Sequence, residues 1–195
     1  MSTPSEGFEA RKLAPQPPDD PEFDPEADHE SVARKILLDQ LTGQARSRHE
    51  LAERLARRNV PDEVAGRLLD RFEEVGLVDD EAFARSWVDS RQRTRGLARR
   101  ALAQELRRKG VADETAREVL DEVDPADEAE TARALVRKKM RSLRGVDDTT
   151  AARRLASLLA RKGYPAGLAF AVVREELARA GGDTEVLGAQ SLHEL

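Results

Sequence analysis

Three stretches of this chain share one pattern of apolar and polar positions. They are Leu51-AERLARRNVP, Leu102-AQELRRKGVA and Leu155-ASLLARKGYP. In each, two leucines lie four apart: Leu51 and Leu55, Leu102 and Leu106, Leu155 and Leu159. That spacing puts both on one face of a helix. A basic pair follows, then Asn59, Gly110 or Gly163, residues suited to a left-handed helix end. An apolar residue comes next (Val60, Val111 or Tyr164). Pro61, Ala112 or Pro165 then stands near the start of another helix.

A further helix precedes each pair. Its shared pattern is Ala33-x-x-Ile36-Leu37, Ala84-x-x-Trp87-Val88 and Ala132-x-x-Leu135-Val136. The leucine pairs recur after 51 and 53 residues, and the preceding helix after 51 and 48. The mismatch places extra chain in the third unit, around Ser142 to Asp148. A period near ~50 residues with three helices per unit indicates a helical repeat array. No stretch alternates with period 2 in β-branched residues, so no strand is expected.

The predicted fold is therefore all-α: an elongated array of three tandem three-helix repeats. The predicted helices are 31–42, 47–58, 61–75, 79–94, 97–109, 112–122, 125–143, 148–162 and 165–179. The repeats are 31–78, 79–124 and 125–180. Caps support these boundaries. Ser47-Arg-His-Glu50 reads as a capping box, Asp79 and Asp80 precede the helix of Phe83 and Trp87, and Asp124-Pro125 fits an N-cap followed by the first helical residue. The expected core comprises Leu51, Leu55, Phe83, Trp87, Leu102, Leu106, Leu135, Leu155 and Leu159, with Phe72 and Phe170 as further aromatic anchors. Units this small, with seven aromatics among 195 residues, need to stack to bury their apolar faces.

Charge changes this picture. The net −5 hides a division. Residues 1–30 carry nine acidic and two basic groups and six prolines; residues 181–195 carry three acids and no base. The body between is net basic. Both ends are expected to be disordered tails, because neither buries enough apolar surface to offset the entropy of ordering. The acidic N-terminal tail could also fold over the basic body and screen it. Within the body, Arg85 to Lys109 holds nine basic residues against two acidic, and Arg133 to Lys162 ten against two. Asp113 to Glu130 holds nine acidic against one basic.

Helical spacing sharpens the basic segments. Arg133, Arg137, Arg141 and Arg144 fall at i, i+4, i+8 and i+11, one face of a helix. Arg100 and Arg107 share a face opposite Leu102 and Leu106, with Arg108 beside them. Arg154 and Arg161 repeat that arrangement. Aligned arginines can neutralise phosphates or pair with carboxylates on a partner; the alternative is a solvated face with intrahelical ion pairs. Arg91, also counted among the candidate binding residues, follows Trp87 and Val88 on nearly the same face, where it either snorkels from the core edge or makes a buried ion pair.

Little else offers chemistry. Cysteine is absent, which excludes disulfides, thiolate-bound metals and a thiol nucleophile. His29, His49 and His193 are scattered, and no glycine-rich phosphate loop or nucleophile elbow occurs. No enzyme activity, cofactor or metal is expected. The longest apolar run, Ala166 to Val173, is far short of the ~20 residues that span a membrane, so a cytoplasmic location without membrane contact is expected.

The run Gly76-Leu-Val-Asp-Asp-Glu-Ala-Phe-Ala-Arg-Ser-Trp-Val-Asp-Ser-Arg91 resembles the signature of the RecX family. So do Arg46-Ser-Arg-His-Glu-Leu51, Gly96-x5-Leu102-x2-Glu105-Leu106-x2-Lys109-Gly110-Val111, and Arg154-Leu155-x3-Leu159-x-Arg161-Lys162-Gly163-Tyr164. Four motifs in order cover roughly residues 31–180; the acidic N-terminus lies outside them. The resemblance implies an elongated array of three-helix repeats without a catalytic centre. It implies a regulator that lodges in the groove of the RecA filament on single-stranded DNA and restrains ATP hydrolysis, strand exchange and coprotease activity, in DNA repair and the SOS response. The expected partner is that nucleoprotein filament, met by a monomer, with at most weak direct contact to single- or double-stranded DNA. A direct DNA-binding repeat protein independent of RecA is the alternative.

Overall fold

The leucine pairs spaced by four become the buried sides of short helices. The computed structural model describes residues 25–181. Among them are nine helices and no strand: α1 (Pro25–Gly43), α2 (Arg48–Ala56), α3 (Asp62–Glu74), α4 (Asp80–Arg95), α5 (Arg99–Arg108), α6 (Asp113–Asp121), α7 (Pro125–Met140), α8 (Asp148–Arg161) and α9 (Ala166–Arg179). The two expected tails fall largely outside the described residues. α1 opens at Pro25, so residues 25–30 extend the first helix.

Caps set the helix starts. The Ser47 hydroxyl accepts from the Glu50 amide at 3.2 Å, and the Glu50 carboxylate accepts from the Ser47 amide at 3.4 Å. Asp79, Asp124 and Asp147 each accept a backbone amide of the first turn, from Ala82, Ala126 and Thr150. The hydrogen bond from the Thr150 amide holds the Asp147 carboxyl below the usual range.

Three separate apolar cores follow. Leu37, Leu51, Leu55, Leu68, Leu69 and Phe72 build the first. Phe83, Val88, Leu102, Leu106, Val119 and Leu120 build the second. Val136, Leu155, Leu159, Tyr164, Val172 and Val173 build the third. Within each repeat the third helix packs against the first two, and all the extensively packed helix pairs lie inside one repeat.

Two aromatic anchors sit differently from expectation. Trp87 is only partly buried: it packs at the edge of the second core and stacks on Phe83 with ring centroids 5.7 Å apart. Phe170 is 55% exposed, because α9 buries Ala169, Val172, Val173 and Leu177 and so turns position 170 outward. Leu135 is likewise a partly buried neighbour of the third core.

Successive repeats meet through short junctions built twice on one plan. The carbonyl of Lys109 accepts from the Ser47 hydroxyl at 2.6 Å. One repeat later, the carbonyl of Lys162 accepts from the Ala98 amide at 2.9 Å. The Arg48 amide donates to Asp80 at 2.8 Å, and the Arg99 amide to Glu128 at 2.9 Å. Each junction thus ties a helix C-terminus, and a carboxylate from the next repeat, to a helix N-terminus that has backbone groups to satisfy. The first junction adds an ion pair between Lys109 and Glu50 at 2.6 Å. The second adds the Tyr164 hydroxyl, which donates to the Gly96 carbonyl at 3.2 Å. Among the described residues no helix is long and apolar enough to cross a membrane.

Candidate partner-binding surface

The arginine stripe of the third repeat divides when it folds. α7 ends at Met140, and Gly145 turns the chain at φ 83°. Arg141 is therefore the helix cap, Arg144 lies past it, and the four arginines do not form one helical face. The reason is local: Leu143 is pulled under to a buried site, and the Ser142 hydroxyl donates to the Lys139 carbonyl at 2.8 Å. These contacts end the helix one turn before position 143.

The two arginines that stay on α7 face α9 instead of solvent alone. Arg137 holds Glu176 with two bonds, Nε to Oε2 and Nη2 to Oε1, both 2.9 Å, and reaches Glu130 at 3.2 Å. Arg133 meets Glu175 at 3.2 Å and Glu130 at 3.4 Å. Arg179 adds a second cation to Glu176 at 2.8 Å. Glu176 is buried, and its hydrogen bond from Arg137 holds the carboxyl below its usual range. A carboxylate stabilised in this way supports the fold at neutral pH and loses that contribution as pH falls through the lowered value. Arg133 and Arg137 thus knit α7 to α9. Glu176→Ala is expected to lower the melting temperature by several degrees while leaving partner binding per folded molecule unchanged. Thermal unfolding followed by circular dichroism at pH 7 and pH 4 checks this; an equal melting temperature at pH 7 would refute it.

Arg91 resolves as an ion pair and a ring contact together. Its Nε donates to Glu105 at 3.1 Å, and its guanidinium carbon lies 4.0 Å from the Trp87 ring centre. The indole of Trp87 donates to the same carboxylate at 2.9 Å, Arg95 reaches it at 3.4 Å, and Lys109 sits 4.5 Å from the ring centre. A partly desolvated cation on a Trp face is stabilising, so this cluster fastens α4 to α5. Arg107 pairs with Asp113 at 3.1 Å, both well exposed, which contributes little.

Arg100, Arg108, Arg141, Arg144, Arg154 and Arg161 are exposed, and none of them has an ion pair among the described residues. The helix register explains the availability of two. Arg57, Arg108 and Arg161 occupy equivalent places in the three repeats. Arg57 is neutralised by Glu53, one turn earlier, at 2.8 Å. The places equivalent to Glu53 hold Gln104 and Ser157, so Arg108 and Arg161 keep their charge outward.

Between α7 and α8 this surface becomes concave. A groove of about 600 Å³ is lined by Lys139, Arg153, Arg154 and Arg161, with Ser142, Leu143 and Ser157 beside them and no acidic residue. Lys139 and Arg153 escaped the sequence reading because they lie on different helices and complete the groove only through the packing of α7 on α8. Guanidinium groups present forked donors that match carboxylates and phosphates. The arrangement can bind an extended anionic surface. No cluster of potential metal ligands occurs among the described residues.

Three family models match the chain in order: the first three-helix domain of RecX over residues 33–72, the second over 79–120 and the third over 126–173. The regulatory protein RecX of Streptomyces coelicolor is 52% identical over 165 residues, covering 85% of this chain and 88% of that protein. That of Thermobifida fusca is 53% identical over 149 residues, covering 76% and 80%. The crystal structure of RecX from Lactobacillus salivarius superposes with a TM-score of 0.71 at 19% identity, over 77% of this chain and 97% of that one; at that identity it speaks to the fold alone. A second crystal structure, of a regulatory protein RecX, gives a TM-score of 0.70 at 25% identity, over 77% and 74%. The ordered triplet of repeats, the motifs that cap and join them, and these similarities place the chain in the RecX family.

Proposed function

We propose that this chain is a cytoplasmic, monomeric regulator of recombination and the SOS response that lies in the helical groove of the RecA filament on single-stranded DNA. There it restrains ATP hydrolysis, strand exchange and coprotease activity. It has no catalytic centre of its own. The observation that carries this reading is the run of exposed arginines on the second and third repeats, Arg108, Arg154 and Arg161 foremost, on an array whose first repeat neutralises the equivalent charge. A linear array can touch several filament subunits at once, and many modest contacts then add through effective concentration.

The test is to titrate the protein into RecA hydrolysing ATP on single-stranded DNA. Hydrolysis is expected to fall as the protein is added. Unchanged hydrolysis and filament length, at concentrations that saturate bare DNA, would sink the proposal. The acid-free groove between α7 and α8 supports a second reading, direct contact with the DNA backbone. In that case binding to DNA without RecA falls steeply with salt. No exposed aromatic platform for base stacking accompanies the groove among the described residues, which favours the first reading.

A further inference from the structure

The helices α3, α6 and α9 hold equivalent places in the three repeats, yet their outer faces differ in chemistry. On α3 the outward positions are Glu63, Gly66, Arg67, Asp70 and Glu74; on α6 they begin Glu114, Arg117, Glu118 and Asp121. The same positions on α9 are Gly167, Phe170, Ala171, Arg174 and Ala178. Counted from Gly167 they fall at i, i+3, i+4, i+7 and i+11, one side of a helix. All five are exposed, Phe170 by 55%. This face carries no carboxylate, and Arg174 has no ion pair among the described residues. Phe170 lies with Gly167, Ala171 and Ala178 in one contiguous apolar strip beside Arg174, and a contiguous strip, unlike a lone exposed ring, suits an interaction site.

Size and charge select the occupant. α9 has 14 residues, a length of about 21 Å. Two such helices side by side fall well short of the ~1,200 Å² that a stable assembly buries. A second copy packed through this same α9 face would also bring Arg174 no acidic counterpart. A nucleic acid would find a single cation there and no basic stripe. An apolar protein surface carrying a carboxylate satisfies both Phe170 and Arg174. We infer that the outer face of α9 docks such a surface on the filament protein, with Phe170 as the anchor and Arg174 as the charged contact. The inference rests on the filament reading above. It adds an apolar contact on the side of the third repeat opposite the one α9 packs against α7 and α8.

Full-length Phe170→Ser and Arg174→Glu variants test it. Each is expected to need at least tenfold more protein than the wild type to halve RecA ATP hydrolysis, with unchanged helicity and unchanged affinity for bare single-stranded DNA. Wild-type potency in both variants would overturn the inference while leaving the filament reading intact. A wild-type protein without effect on RecA would overturn both. Weakened binding to bare DNA would reassign the face to nucleic acid. A wild-type dimer by light scattering that Phe170→Ser dissociates would reassign it to self-association.

Discussion

Reversing Arg108, Arg154 and Arg161 together to glutamate is expected to weaken inhibition of the RecA filament by about two to three orders of magnitude. The melting temperature should stay within a few degrees of the wild type. Each of these residues is exposed, and none has an ion pair among the described residues, so removing them costs the fold no buried partner. At the partner surface the reversal both deletes a cation and sets a like charge against it. About 1 kcal/mol per residue, at ~1.4 kcal/mol per tenfold, already gives the lower bound. The comparison that gives the experiment its meaning is Arg133 and Arg137 reversed to glutamate. That pair faces Glu130, Glu175 and Glu176, so its reversal collects five carboxylates between α7 and α9 and acts on stability first. If the triple variant inhibits as well as the wild type, the charge on α5 and α8 is only solvated surface.

This contrast also shows what the sequence could and could not reveal. The repeats, the caps and the three cores were legible because each depends on spacing within one or two helical turns. Leu51 with Leu55, and Ser47 with Glu50, contain their own partners. The fate of an arginine does not work that way. Arg133 and Arg137 are spaced like a binding stripe, but their partners Glu175 and Glu176 stand about forty residues further on, and only packing of α9 on α7 brings them together. Arg141 and Arg144 dropped out of the stripe when Leu143 was drawn into the third core and ended the helix early. Phe170 had the composition of an anchor and the wrong phase: its neighbours on either side, Ala169 and Ala171, mark the boundary at which α9 turns from core to solvent. The one local clue to which arginines stay unpaired was the replacement of Glu53 by Gln104 and Ser157 at equivalent places, since it concerns an i, i+4 pair.

Gly163→Ala is expected to have the largest effect on stability, about 2–4 kcal/mol. Gly163 ends the second helix of the third repeat at φ 87°, where a side chain is already disfavoured. A Cβ placed there would lie 2.5 Å from the Ala101 nitrogen and 2.8 Å from the Ala101 Cβ. Those atoms belong to the first turn of α5, so no side-chain rotation relieves the contact and the junction itself has to open. Gly110 occupies the matching place in the first junction, where a Cβ would meet the His49 Cβ at 2.2 Å. Gly110→Ala should therefore also destabilise. Asn59 supplies the control. It stands at the equivalent position of the first repeat and takes φ 57°, but among the described residues no preceding repeat lies against it as α5 lies against Gly163. Ala at Gly163 and Gly110 thus tests whether glycine is required by the turn or by the neighbouring repeat. If the turn alone mattered, both variants would lose only the ~1–2 kcal/mol of left-handed strain. If the junction matters, urea unfolding should show the larger loss. Hydrogen exchange at the Ala98 amide, which donates to the Lys162 carbonyl, should then accelerate more in Gly163→Ala than exchange within the third core. Equal protection of that amide in wild type and variant would show that the repeats are joined by something other than this contact.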